Sequence, residues 1–403
     1  MSRARKLAIG AFVALLAAAP FIPRGDDSEG EIRPSGEREL VEPPPPGPGI
    51  LTPAMRREID RVVADGRQAG AVSARQSPTQ LASNLVRCAE LDGQRYCLHT
   101  GWTTSTEADV RARVATATRT LATRRATAAE TTGDLDLAAT LHRAATLSPT
   151  ERAAQERAEL TAAARSVAKV WMLRHEVQGV PLPAGFSERH PEAGLSARSG
   201  TTSTTSKTRT KTAADYPRLG RVLSPKRVAE QHRTYWCGPT TMQMIAWGWQ
   251  DTRKAQGHWA NRLGTTTSGT AITDMVRVVN QSTGWDRASR AGTYITLDIS
   301  DWSFGKWSLL NMRHIVDYRA PLVLHPVLLK RYYPYLDDDA SGHFQVGRGY
   351  DKNGDGPLKI GYFEPWNQQR FDPSEPYIAR VQWRDAYRSY RANKAHFQHN
   401  IGV

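Results

Sequence analysis

The segment Gln231-His232-Arg233-Thr234-Tyr235-Trp236-Cys237-Gly238-Pro239-Thr240 places a cysteine where thiol chemistry is most easily activated. The thiolate is the nucleophile, so a reactive cysteine calls for a lowered pKa and an accessible position. Gly238-Pro239 suits a turn into the first residues of a helix, which puts Cys237 at the amino end of that helix. There the helix dipole and free amides favour a negative sulfur. Gln231 stands six residues earlier, where its side-chain amide could join the Cys237 backbone amide in holding an oxyanion. Cys237 is also the odd member of three cysteines, since Cys88 and Cys97 read as a pair, and a leftover thiol is first suspected of reactivity.

A general base must come from a separate element. In Ser341-Gly342-His343-Phe344-Gln345-Val346-Gly347-Arg348-Gly349-Tyr350-Asp351 the histidine begins a strand-like alternation, with small residues before it that leave room for substrate. His343 is therefore the candidate base. His325 is a lesser competitor inside the apolar stretch Leu322 to Leu329, and His232 is too close in sequence to Cys237. His99, His142 and His175 have no acidic or cysteine partner at fixed spacing. A third group normally orients the imidazole. Glu364, at the end of Gly361-Tyr362-Phe363-Glu364-Pro365-Trp366-Asn367, is the first choice and Asn367 the second.

These motifs must be carried by a region of about 216 to 403 that concentrates the aromatic residues. Helices are expected from Cys237 through Trp249, near Lys254 to Leu263, Ile272 to Gln281 and Trp307 to Tyr318. Strands are expected at Leu322 to Leu329, Phe344 to Gly349 and Leu358 to Phe363. Helices first and strands later is the pattern of an α+β domain, a helical subdomain packed on an antiparallel sheet. Asp351-Lys352-Asn353-Gly354-Asp355-Gly356 copies the start of a calcium loop, but its twelfth position is Tyr362 rather than a bidentate glutamate. A tight hairpin turn is expected there, with no metal and no cofactor.

The segments around Cys237, Leu263-Gly264-Thr265-Thr266 to Gly269-Thr270, Gly342-His343-Phe344 and Gly349-Tyr350-Asp351 together resemble the C39-like peptidases, a papain-like group of cysteine peptidases. The resemblance covers roughly 216 to 380. It implies a papain-like fold, Gln231 in an oxyanion hole, Cys237 as nucleophile, His343 as base and a peptide or protein substrate. The family usually carries Asp-Pro where this sequence has Glu364-Pro365, so a longer side chain would have to retract to make the same bond. The Cys-Gly-Ser-Cys-Trp signature of plant-papain relatives is absent, and so is a phosphate-binding Gly-x-x-x-x-Gly-Lys-Ser/Thr loop. Two other readings keep the same residues: acyl transfer to an amine, as transglutaminases perform, and a degenerate, inactive envelope-binding protein of the same fold.

The rest of the 403-residue chain frames this domain. Arg3, Arg5 and Lys6, the apolar run Leu7 to Ala19 and the small residues Ala17-Ala18-Ala19 read as a signal peptide over 1–23, so the protein is expected to be secreted, an anchored form remaining open. An acidic, proline-rich tether follows over 24–49. Residues 50–182 read as a mainly helical domain around a hairpin, with Asp92-Gly93 at the turn and a Cys88–Cys97 disulfide. Ser148-Pro149-Thr150-Glu151 is a helix start, with the helix running to about Val177. A Ser/Thr-rich linker spans 183–215. With 23% charged and 39% hydrophobic residues, the composition excludes a multi-span membrane protein. The net charge of +14 is spread along the chain without a dense block, which argues against nucleic acid and allows attraction to an anionic cell envelope. The oligomeric state is not legible.

Overall fold

The computed structural model describes residues 49–403 apart from 69–71, 126–131, 194–209, 252, 286–291, 355, 367–368, 370 and 372–375; for 118–125 it describes the backbone. The expected signal peptide, nearly all of the tether, half of the linker and Asn367 therefore lie outside the described residues.

Along the chain, α1 (Pro53–Gln68) and α2 (Pro78–Leu85) precede a small meander of β1 (Cys88–Leu91), β2 (Gln94–Cys97) and β3 (Gly101–Thr103). Then come α3 (Glu107–Arg125), α4 (Leu137–Thr146), α5 (Pro149–Gln178) and the single turn α6 (Phe186–Arg189). After β4 (Leu219–Arg221) the helices α7 (Cys237–Gln250), α8 (Gln256–Leu263) and α9 (Ile272–Ser282) run consecutively. The remainder alternates: β5 (Thr296–Asp298), α10 (Phe304–Val316), β6 (Leu322–Leu324), β7 (Gln345–Asp351), β8 (Lys359–Phe363), β9 (Val381–Asp385), α11 (Ala386–Ala395) and β10 (Asn400–Gly402).

Local chemistry sets several of these boundaries. Asp92 and Gly93 both take positive φ, 47° and 76°, which a two-residue hairpin turn requires, and Cys88 pairs directly with Cys97 in a disulfide. Ser148 accepts from the Glu151 amide while Glu151 reaches back to the Ser148 amide, so α5 starts with a complete capping box and ends at Gly179 in the left-handed region. After β7 the chain turns at Asn353 and Gly354, with φ 50° and 55°, and the Asn353 amide donates to Asp351 Oδ1. The strand expected to run to Leu329 stops at Leu324. The His325 amide donates to Asn393 Oδ1, and Pro326 has no N–H to give a ladder.

The ten strands form one sheet in the order β1-β2-β3-β5-β10-β6-β7-β8-β9, with β4 added on β7. The expected antiparallel pairing holds except between β3 and β5, where Trp102 and Leu297 meet in parallel, so the sheet is mixed. Sheet and core both cross the boundary expected between the helical region and the C-terminal domain. One hydrophobic cluster includes Met55 and Leu160 from the first part with Met242, Leu297, Leu324 and Ile401 from the second. The last strand, β10, lies between β5 and β6 and locks the end of the chain into the middle of the sheet. Among the described residues no helix is long and apolar enough to cross a membrane.

Candidate active site

Cys237 opens α7, as its Gly238-Pro239 sequel requires. The N-cap residue, Trp236, makes no side-chain cap hydrogen bond, so side-chain capping leaves the first-turn amides free for another acceptor. The helix is tied to the strand that follows the histidine motif: Thr241 Oγ1 donates to the Phe344 carbonyl at 3.1 Å. This holds the Cys237 end of α7 against the His343–Phe344 peptide.

His343 lies just ahead of β7, its amide donating to the Pro326 carbonyl at 2.9 Å. The ring is fully buried. Its Nε2 is 2.7 Å from Glu364 Oε1, and among the described residues its Nδ1 has no hydrogen-bond partner. The carboxylate fixes the proton on Nε2, which leaves the Nδ1 lone pair as the basic atom. Trp366 stands edge-on to the ring, with centroids 6.3 Å apart.

Glu364 follows β8 and is the most heavily bonded side chain of the site. Oε1 also accepts from the Trp366 amide at 2.9 Å, while Oε2 accepts from Gln345 Nε2 at 2.6 Å and the Tyr335 hydroxyl at 3.0 Å. Burial works against its charged form, yet the His343 charge and these donors outweigh it and hold the carboxyl below its ordinary range. The extra methylene relative to aspartate is accommodated in this collar of donors.

Gln231 sits in the loop leading to Cys237, its amide donating to the Pro365 carbonyl at 3.0 Å, so the loop is fastened to the Glu364 segment. Both hydrogens of its side-chain amide go to carbonyls within that loop, Arg233 at 3.0 Å and Thr234 at 2.8 Å. An oxyanion donor is available from Gln231 only if one of these bonds is exchanged.

One expectation fails. The sequence reading asks for an accessible thiol of lowered pKa, whereas Cys237 is fully buried. Burial is the main cause pushing its thiol well above the ordinary value, and the charges of Asp134 and Glu364 add to it. The Phe344 and Gly238 amides work the other way. Beside the thiol lies a segment that sequence reasoning missed. Thr132 to Asp136 crosses the groove between the Cys237 loop, the Gly269-Thr270 wall and the Ser341-Gly342 wall. The Thr270 amide donates to the Gly133 carbonyl at 2.9 Å and the Leu135 amide to the Thr270 carbonyl at 2.8 Å, a parallel bridge. On the other wall the Thr132 amide donates to Ser341 Oγ at 3.0 Å and its hydroxyl to the Gly342 carbonyl.

The passage is close enough to need glycine. Gly133 has φ 108°, and a Cβ there would lie 2.4 Å from the Tyr235 carbonyl carbon and oxygen. A Cβ on Gly342 would come within 2.4 Å of Asp134 Oδ2. Asp134 stands against two histidines: His396 Nε2 is hydrogen-bonded to Oδ2 at 2.9 Å, and His325 Nε2 lies 2.9 Å from Oδ1 without hydrogen-bond geometry. His325, the lesser competitor for the base, is fully buried and stacked on Phe344 at 4.6 Å, beside the site but hydrogen-bonded within this cluster. No spacing in the sequence signals the trio, which comes from three distant stretches. The only local hint is Asp136, whose side chain caps α4 through the Ala139 amide at 2.8 Å and so anchors the segment's far end.

No curated protein and no solved structure matches the chain. The C-terminal region of the chain, residues 226–395 with Cys237, His343 and Glu364 among them, matches the model of the Peptidase_C39 like family.

Proposed function

We propose that the C-terminal region hydrolyses peptide bonds with Cys237 as nucleophile, His343 as base and Glu364 as the group that orients and charges the base. The family match supports peptidase chemistry on a peptide or protein substrate. The observation that carries the assignment is the 2.7 Å His343–Glu364 hydrogen bond, which leaves Nδ1 of a buried ring free on an element tied to the Cys237 helix.

In this reading Nδ1 takes the thiol proton, and the sulfur attacks the scissile carbonyl carbon. The oxyanion develops at the amino end of α7, where the Cys237 and Gly238 amides serve it; Gln231 contributes if it releases Arg233 or Thr234. The imidazolium then gives its proton to the leaving amine, and the acyl group stays on sulfur. His343 next draws a proton from water, which releases the acid and the thiol. The Glu364 carboxylate stabilises the imidazolium in both half-reactions.

The Cys88–Cys97 disulfide fits a secreted protein, since such bonds persist in oxidising compartments. The charge of +14 would favour an anionic envelope as its surroundings. Burial of Cys237 is the single observation favouring the inactive binding protein as a second reading. Incubation of the unaltered protein and Cys237→Ala with a peptide library decides between them. Cleavage products from the unaltered protein and none from Cys237→Ala are expected; equal products from both would remove Cys237 from the chemistry.

A further inference from the structure

The groove beside Cys237 holds an acidic side chain in a receptor built for one. Asn400 gives its amide hydrogen to the Thr100 carbonyl at 3.3 Å and so turns Oδ1 to His325 Nδ1 at 2.7 Å. Nδ1 of His325 therefore carries the hydrogen of that bond, and its Nε2 faces Asp134 Oδ1 at 2.9 Å. His396 is different: its Nδ1 accepts the Gln398 amide at 3.2 Å, so Nε2 carries the hydrogen that goes to Asp134. Burial is the largest cause holding His396 down, to about 4, and the His325 charge adds to it. A hydrogen bond from His396 and the ring of His325 at ion-pair distance together hold a single carboxylate, in a pocket closed to solvent.

The three ligand atoms lie within 4.8 Å of one another, a spacing that a metal ion also tolerates. The His396 tautomer opposes that alternative. An Nε2 that keeps its hydrogen has no lone pair for a cation, and moving the hydrogen to Nδ1 would set it against the Gln398 amide.

The carboxylate enters this receptor on an extended backbone. Residues 132–135 bond to both walls of the groove as an added strand would. Beside Leu135 a cavity of about 490 Å³ lies among α2, α4, Thr266 and Ser268. Among the described residues, the segment's partners across the groove, such as Tyr235, Thr270, Ser341, Gly342, His325 and His396, belong to the second half of the chain. Only His396 falls outside the region of the family match, and by one residue.

We infer that His325 and His396 form a carboxylate-receiving subsite of the Cys237 groove, that the chain's own Thr132–Asp136 segment is its resident occupant, and that the groove takes an extended acidic peptide when that segment leaves. The inference rests on the proposed function for the identity of the groove, and its test is independent of catalysis. In the closed form the segment seals the thiol and places a negative charge near it, two effects that both suppress attack.

The test is the rate of Cys237 carboxamidomethylation at pH 8.5, where an ordinary exposed thiol reacts without an activating base. Asp134→Asn removes the charge that the histidines bind, and Gly133→Ala drives a methyl group into Tyr235 without touching the histidines. Both variants should be alkylated at least tenfold faster than the unaltered protein, with unchanged far-ultraviolet circular dichroism. A synthetic peptide of residues 131–136 should protect the thiol of Asp134→Asn, and the same peptide with asparagine at position 134 should not. Unchanged alkylation in both folded variants, or equal protection by the two peptides, would overturn the inference. Fast alkylation together with selective protection, in a protein that cleaves nothing, would leave the subsite standing and refute the catalytic reading alone.

Discussion

Replacing Glu364 by glutamine removes a charge while keeping the shape, and the structure says which way the new amide must turn. Four donors surround the carboxylate, and two of them share Oε1: the His343 ring and the Trp366 amide. The Trp366 N–H is backbone and cannot rotate, so the glutamine oxygen must take the Oε1 position and its NH2 the other. There Gln345 can turn its own amide to accept. The His343 tautomer therefore survives Glu364→Gln, and what is lost is the negative charge facing the imidazolium that forms during catalysis.

Two unit charges about 4 Å apart interact by about 4 kcal/mol at an effective dielectric of about 20. At about 1.4 kcal/mol per decade, turnover should fall on the order of 10²- to 10³-fold. The alkylation rate of Cys237 near neutral pH should fall by a similar factor in a background where the groove is open. Initial rates on the best peptide from the library, compared with Glu364→Asp, measure this, and the aspartate variant should recover part of the loss because it restores the charge. A Glu364→Gln protein that folds and works within threefold of the unaltered protein would refute the role given to the carboxylate.

Other expectations concern the scaffold. Reducing the Cys88–Cys97 disulfide, whose partners are nine residues apart, should cost about 2–3 kcal/mol of stability by the loop-closure relation, read as a lower thermal midpoint; an unchanged midpoint would contradict it. Leu297→Ala should cost about 2–5 kcal/mol and preserve one cooperative transition, because Leu297 is buried where β5 joins Trp102 of β3 and Ile401 of β10; two separate transitions would show that the halves do not share a core. Burial holds both His99 and His396 down to about 4, so the stability owed to their neutral forms is complete above about 6.5 and is lost as pH falls toward 4. Burial raises Glu159 to about 7, with the opposite sign: its contribution is complete below 4.5 and is lost as pH rises to about 7. The urea midpoint should therefore fall between pH 6.5 and 4.5, and more steeply in Glu159→Gln; a midpoint that rises on acidification would contradict these assignments.

What the sequence disclosed was what is local. The Ser148 capping box, the Asp92-Gly93 turn and the helix beginning at Cys237 each depend on residues within a few positions, and their chemistry is complete in that window. The His343–Glu364 bond was accessible as a candidate because both residues flank strands with a clear alternation. The three-residue strands β5 and β10 were not, since their pairing is decided by partners a hundred residues away. The Thr132–Asp136 segment was hidden for a related reason. It has no periodicity, its backbone is satisfied by Thr270, Ser341 and Gly342, and its aspartate stands against histidines nearly 200 and 260 residues further on. Gln231 was visible by spacing, but nothing in the sequence tells that Arg233 and Thr234 occupy its amide.

The central claim is that Cys237 and His343 act as one activated pair. Its most direct measurement is the pH dependence of Cys237 alkylation in Asp134→Asn, with and without His343→Ala. The account predicts reactivity persisting well below pH 8 in Asp134→Asn and lost in the double variant. An ordinary thiol profile, the same with and without His343, would contradict it.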